Sequence, residues 1–197
     1  MEQSVATPAT RSAYPVEYDV EYPDRDLNRL TTAFRTFTAI PIAVVSGALG
    51  GLLFLPPLLM IVFRQKYPRW WHDFNVELLR FQARVGVYVA LMDDRYPSTD
   101  EPQAVRLELP DPDAARLNRW LPLVKWLLAI PHYVVLAFLV IGAFFAVVAA
   151  WFAILFTGRF PRGLFDYLVG VGRWTNRVIA YAFALVTDEY PPFRLRP

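Results

Sequence analysis

Arginine and aspartate recur in one order at two places in this 197-residue chain. Arg69, Asp73, Arg80 and Arg84 are followed, at an offset of 93, by Arg162, Asp166, Arg173 and Arg177. Each set is closed by an acid ahead of a Tyr-Pro pair, "DRYP" from Asp94 and "DEYP" from Asp188. A guanidinium presents a planar fork of donors that suits carboxylate and phosphate, and two arginines four residues apart share one helix face. Two uses follow. In a structural one, Asp73 and Asp166 cap helix N-termini behind Pro-Arg, while the arginines reach to headgroup level or pair with Asp94 and Asp188. In a binding one, the paired arginines form a basic pocket for anionic lipid headgroups. The two uses are compatible.

No other constellation carries chemistry. The chain has no phosphate-binding glycine loop, dinucleotide fingerprint, zinc-helix signature or nucleophile elbow. Without cysteine it has no disulfide, thiol nucleophile or thiolate metal site. Its 2 histidines are His72 and His132. A haem could take both as axial ligands, but their counterparts at the repeat offsets are Phe165 and Ile42, so packing or aromatic-belt roles are expected instead. The aspartates lack a metal-site spacing. No catalytic residue, cofactor or metal ligand is assigned, and a formal charge of +2 gives no bulk support for nucleic-acid binding.

The elements that position these residues begin with two apolar runs. No charge occurs from Thr36 to Phe63, 28 positions, or from Trp126 to Gly158, 33 positions. A bilayer-spanning helix needs about 20 apolar residues, whereas a buried core helix rarely shows more than about 14. Apolar types make up 55% of the chain and charged ones 19%, below the roughly 25% charged of soluble domains. The second run as one helix would be roughly 50 Å long against a hydrocarbon core of about 30 Å. Each run is therefore expected to fold as a transmembrane hairpin, turning at Ser46–Gly51 ("SGALGG") in the first and near Gly142 in the second. Arg29, Arg35, Arg119 and Lys125 would snorkel from the entering turns. Basic flanks on both sides of both runs predict an even number of crossings and cytoplasmic termini, which fully spanning and re-entrant hairpins fit equally, with a single tilted span per run as the rival.

The chain also reads as a tandem repeat. "LNRL" at Leu27 matches "LNRW" at Leu117, "AIP" at Ala39 matches "AIP" at Ala129, and "YPR" at Tyr67 matches "FPR" at Phe160. Each repeat opens with alternating residues, "VEYDVEYP" from Val16 and "VRLELP" from Val105, which predict two strands pairing as a small cytoplasmic β-ribbon. Each closes on an apolar helix with an arginine face, amphipathic and lying in the interface or packed on the hairpin. The predicted fold is mainly α: an integral membrane helical protein of two repeats, 14–97 and 104–197, joined by a linker at 98–103 and preceded by a disordered polar tail at 1–13. That tail lacks the basic and apolar regions of a cleaved leader. Trp70, Trp71, Trp151 and Trp174 are expected at the interface, and "DEYPPFRLRP" along the last helix.

"LLAIPHYVVLAFL", "WFAILFTGRFPRGLFDYLVGVGRW" and "YAFALVTDEYPPF" resemble an uncharacterised membrane family common in actinobacteria, domain of unknown function 4389. The resemblance covers nearly everything after the polar tail, as two copies of which the second is the closer. It implies a multi-pass protein of the bacterial plasma membrane and supplies no activity or catalytic residues. The functional expectation is a non-enzymatic membrane scaffold or accessory subunit, with membrane lipids and a protein of a membrane complex as partners. A small transporter or oligomeric channel is the alternative. A lipid-modifying enzyme using Asp73, Asp166, Asp94 or Asp188 ranks below both.

Overall fold

The computed structural model describes residues 14–50, 54–99, 101–114 and 116–197; the tail expected at 1–13 lies outside them. In chain order the elements are β1 (Glu17–Val20), α1 (Arg29–Gly50), α2 (Leu55–Arg64), α3 (Arg69–Val89), β2 (Val105–Glu108), α4 (Pro122–Leu128), α5 (Ile130–Thr157) and α6 (Arg162–Ala182). Helix predominates, and the two strands form one antiparallel ribbon in which Tyr18 faces Leu107 and Asp19 faces Arg106. The expected pairing of the two alternating segments is thus present. Its reason is the period of two, which turns Tyr18, Val20 and Leu107 inward and leaves Glu17, Asp19, Arg106 and Glu108 exposed.

Helix boundaries follow proline and left-handed residues. Helices α3 and α6 each start after an extended proline, Pro68 and Pro161. The helices before those turns end on left-handed residues, Gln65 at φ 45° and Gly158 at φ 78°. Within α1, the segments Arg29–Arg35 and Phe37–Ala48 meet at 54°. The cause is Pro41, which has no N–H for the i−4 bond and whose ring crowds the carbonyl of Phe37. In the second "AIP", Pro131 lies in the first turn of α5, and there the bend becomes a break between α4 and α5.

The second apolar run corrects the expected hairpin. Helix α5 continues for 28 residues through Gly142, because that glycine is a packing site and not a turn. A Cβ there would lie 2.5 Å from the Tyr167 hydroxyl, which donates to the Leu139 carbonyl at 2.8 Å. In the first run α1 extends to Gly50, α2 begins at Leu55, and 51–53 fall outside the described residues. Among the described residues one helix, Ile130–Thr157, is long and apolar enough to span a membrane, and the bent α1 is a second only if counted as one span.

Three layers result. The ribbon lies over α3 and α6, with β2 on α3 and β1 on α6. On the other side, α1 packs against α3, and α4 and α5 pack against α6, with α2 against α4. Helix α6 presents opposite faces to its neighbours, at roughly 100° per residue. Phe165 and Gly172 meet Tyr22 and Tyr18 of the β1 segment, while Tyr167 and Trp174 meet Leu139 and His132 of α5. The order of those contacts makes α5 and α6 antiparallel neighbours. Helix α5 buries a narrow stripe through His132, Leu136, Ala146, Ala150 and Ile154, and only 17% of its most apolar 18-residue stretch is buried.

At Gly172 the middle layer approaches the ribbon closely: a Cβ would meet the Tyr18 ring at 2.8 Å, and Tyr18 is itself buried in the core. Gly172→Ala is expected to lower unfolding stability by about 1–3 kcal/mol, the usual cost of overpacking. Denaturant titration in mild detergent checks this, and an unchanged midpoint would show that the ribbon does not bear on α6 there.

Candidate functional site

The strongest polar geometry is a buried cation clamp that occurs twice. In the first half, Arg35 Nη2 lies 2.5 Å from Asp94 Oδ1, and Nη1 donates to the Asp93 carbonyl at 2.9 Å. The other oxygen of Asp94 accepts the Asn28 amide at 3.0 Å, and the Asn28 side chain accepts the amides of Leu30 and Thr31. In the second half, Lys125 Nζ lies 2.6 Å from Asp188 Oδ1 and donates to the Thr187 carbonyl at 2.7 Å. Asp188 accepts the Asn118 amide at 2.7 Å, and Asn118 accepts from Trp120 and Leu121. Each cation also lies over a tyrosine ring, Tyr88 and Tyr181. Each carboxylate follows a left-handed leucine, Leu91 at φ 64° or Leu185 at φ 57°, a conformation that costs a non-glycine residue about 1–2 kcal/mol.

Arg35 and Lys125 therefore do not snorkel: they are 1% and 0% exposed. Burial lowers the Lys125 pKa, against the opposing pull of Asp188. Asp94 and Asp188 are correspondingly not partners of the helix arginines. Sequence reading missed the clamp although its parts stood 90 residues apart in the sequence, as Asn28 with Asn118 and Arg35 with Lys125.

The helix arginines hold backbone. Arg80 Nε donates to the Leu107 carbonyl at 3.1 Å and Arg173 Nε to the Tyr18 carbonyl at 3.0 Å. Leu107 and Tyr18 are the facing pair of the ribbon, so each half grips the strand of the other. Arg80 also pairs with Glu77, and Arg173 with Asp19 and the Leu195 carbonyl. Arg84 donates to the Ser98 carbonyl at 2.7 Å. Arg177 is fully buried, and burial, then Arg194 and Arg173, pull its pKa down to about 10. It gives Nη1 to the Arg196 and Arg194 carbonyls.

Arg69 and Arg162 are exposed at the first position of α3 and α6, with Arg162 over the Tyr22 ring at 3.9 Å. Asp73 and Asp166 do not cap: they sit one turn into the helices, exposed, while the cap positions are Pro68 and Pro161 with no side-chain bond. Trp174 is not an interface anchor but is buried, donating to His132 Nδ1 at 2.9 Å. His132 stacks on Phe193 at 4.0 Å, which with the bond from Arg173 to Leu195 lays the C-terminal segment along α6 as expected. His72 lies 3.3 Å from Asp111, and burial lowers its pKa. Among the described residues no three His, Asp or Glu side chains gather as a metal site.

Removing one partner of a buried ion pair strands the other, which costs about 3–5 kcal/mol. Arg35→Met and Lys125→Met are each expected to lose that much. Lys125→Arg, which places the first half's cation in the second, should lose less than Lys125→Met. Urea titration of the three variants decides, and wild-type stability in both Met variants would show that the clamps contribute nothing.

No curated protein and no solved structure matches the chain. Residues 120–194, which hold α4, α5, α6 and the Lys125–Asp188 pair, match the model of a family described as a domain of unknown function, DUF4389.

Proposed function

We propose that the protein is a membrane-seated scaffold or accessory subunit whose outer layer lies within one leaflet, and whose ribbon faces the water. One observation carries this reading: the apolar surface of α5 is open, and the exposed acids Glu17, Asp19 and Glu21 stand on the ribbon side of α6, across it from α5. Phe138, Phe144, Phe145 and Phe156 are all more than 60% exposed, an area that a soluble monomer rarely leaves uncovered. A soluble core helix would instead be mostly buried.

An upright α5 fits less well. Segment β1 runs along α6 from Tyr18 at Gly172 to Tyr22 at Phe165, and α6 runs along α5. Exposed Asp19, Glu21 and Asp166 would then lie at membrane depth, at a cost of roughly 2.5–3.5 kcal/mol for each charge near the centre. With α5 in the membrane plane, all of them stay in water. Exposed Arg29, Arg64, Arg119 and Arg159 stand at the ends of the outer helices, where they suit the anionic headgroups of a cytoplasmic plasma-membrane leaflet. Both ends of the chain are then cytoplasmic. The two halves are copies of one unit in this reading, supported by the recurrence of the clamp atom by atom. Nothing in the geometry favours a reaction, and the accessory role follows from a lipid-facing layer joined to an exposed ribbon.

The absence of cysteine allows single labels. Fluorophores on Ile141→Cys and Phe156→Cys, separated by roughly 22 Å of helix, should be quenched equally by bromines at one shallow lipid depth. Deep quenching at one position and shallow quenching at the other would establish an upright helix. No quenching at either would remove the membrane reading.

A further inference from the structure

The two halves differ at Arg177. Its counterpart Arg84 is half-buried and leaves no buried donor without a partner. Arg177 is fully buried, and its Nε and Nη2 have no partner among the described residues. Those two atoms form one edge of the guanidinium, whose N–H bonds run parallel and match two oxygens of one oxyanion. Among the described residues no carboxylate pairs with Arg177, and the neighbouring charges that act most on it, Arg194 and Arg173, repeat its own sign. A desolvated cation in that position lacks a counter-ion.

Arg177 lines a cavity of about 530 Å³ between α6 and the ribbon, together with Arg173 and Arg106. Glu17, Asp19 and Glu21 line it too. Asp19 is engaged by Arg173 at 3.2 Å, and all three acids are exposed and none of them pairs with the buried arginine. The cavity stands between Arg173, which is committed to backbone, and Arg106, which is exposed on β2.

We propose that this cavity binds one oxyanion of the phosphate class, held by the Nε and Nη2 edge of Arg177 with Arg106 as the second cation. Both cations that hold the ligand come from the second half, and Arg84 offers no such unpartnered edge in the first. The site rests on the headgroup reading above only for the source of the phosphate, which is either a lipid headgroup or a soluble phosphorylated molecule.

The test uses the full chain in neutral detergent, with inorganic phosphate replacing chloride at constant ionic strength and thermal unfolding as the readout. Phosphate should raise the wild-type midpoint. The apparent affinity should fall at least ~10-fold in Arg177→Gln, since bonds to an ionised group are the strong ones, and remain unchanged in Arg84→Gln. Arg106→Gln should weaken binding, and Glu17→Gln with Glu21→Gln should strengthen it; both sets lie at exposed positions and keep the test valid if Arg177→Gln does not fold. Equal stabilisation of wild type and Arg177→Gln, or no response of the wild type and no gain in the glutamate variants, overturns the proposal. Micelles doped with phosphatidylglycerol identify the source. Protection that needs Arg177 and is competed by phosphate assigns a lipid headgroup, and protection by phosphate alone assigns a soluble ligand. Neither arm needs a bilayer, so it stands apart from the depth measurement that tests the membrane seat.

Discussion

A cation taken out of water must meet a counter-charge and fill its remaining donors, and this requirement organises both halves of the molecule. Arg35 and Lys125 come from helices that enter the apolar layer, while Asp94 and Asp188 come from the turns that leave the middle layer. Closing each pair ties the start of an outer helix to the end of an inner one. The same carboxylate takes the amide of Asn28 or Asn118, whose side chain caps the entering turn. One interaction thus sets where the outer helix begins, which way it points and how the preceding leucine must twist. Hydrophobic burial alone specifies none of these, because it is non-directional.

The second constraint is separation of charge from hydrocarbon. Helices α3 and α6 carry apolar residues on the faces toward the outer helices and reach the strands with arginine and glycine. Arg80 and Arg173 end on carbonyls of facing ribbon residues, and each arginine holds the strand that begins the opposite half. Neither strand can leave without freeing a guanidinium of the other half, so the ribbon couples the halves more tightly than two paired strands would alone. The outer layer adds to this coupling, since Arg119 Nε donates to the Val62 carbonyl and Trp151 Nε1 to the Thr32 carbonyl, yet it stays apolar over most of its surface.

Much of this was legible as pattern and little as geometry. Period-two alternation placed both strands, and Pro-Arg after an apolar run placed α3 and α6, because proline and side-chain period act locally. Gly142 misled for a physical reason: glycine marks a turn or a close approach, and sequence does not separate them until Tyr167 is seen above it. Arg35 and Lys125 misled in another way. A basic residue beside an apolar run can reach outward to headgroups or inward to a carboxylate, and the deciding partner lies about 60 residues along the chain. Asp73 and Asp166 lie one turn beyond the cap, where their sequence neighbourhood looks right and the backbone geometry is not.

Where two halves share so many contacts, their differences carry information. The clamp keeps its geometry while exchanging arginine for lysine, so the interior requires a positive charge with donors and not one residue type. Arg80 and Arg173 keep both residue and target. Arg84 and Arg177 keep residue and spacing yet differ in burial and in satisfied donors. A fold that gains nothing from stranding two N–H groups of a buried cation would surround Arg177 with carbonyls, as the C-terminal segment already does for Nη1. That segment satisfies Nη1 and leaves Nε and Nη2 without a partner among the described residues. The second half thus departs from the first at a position where departure costs stability.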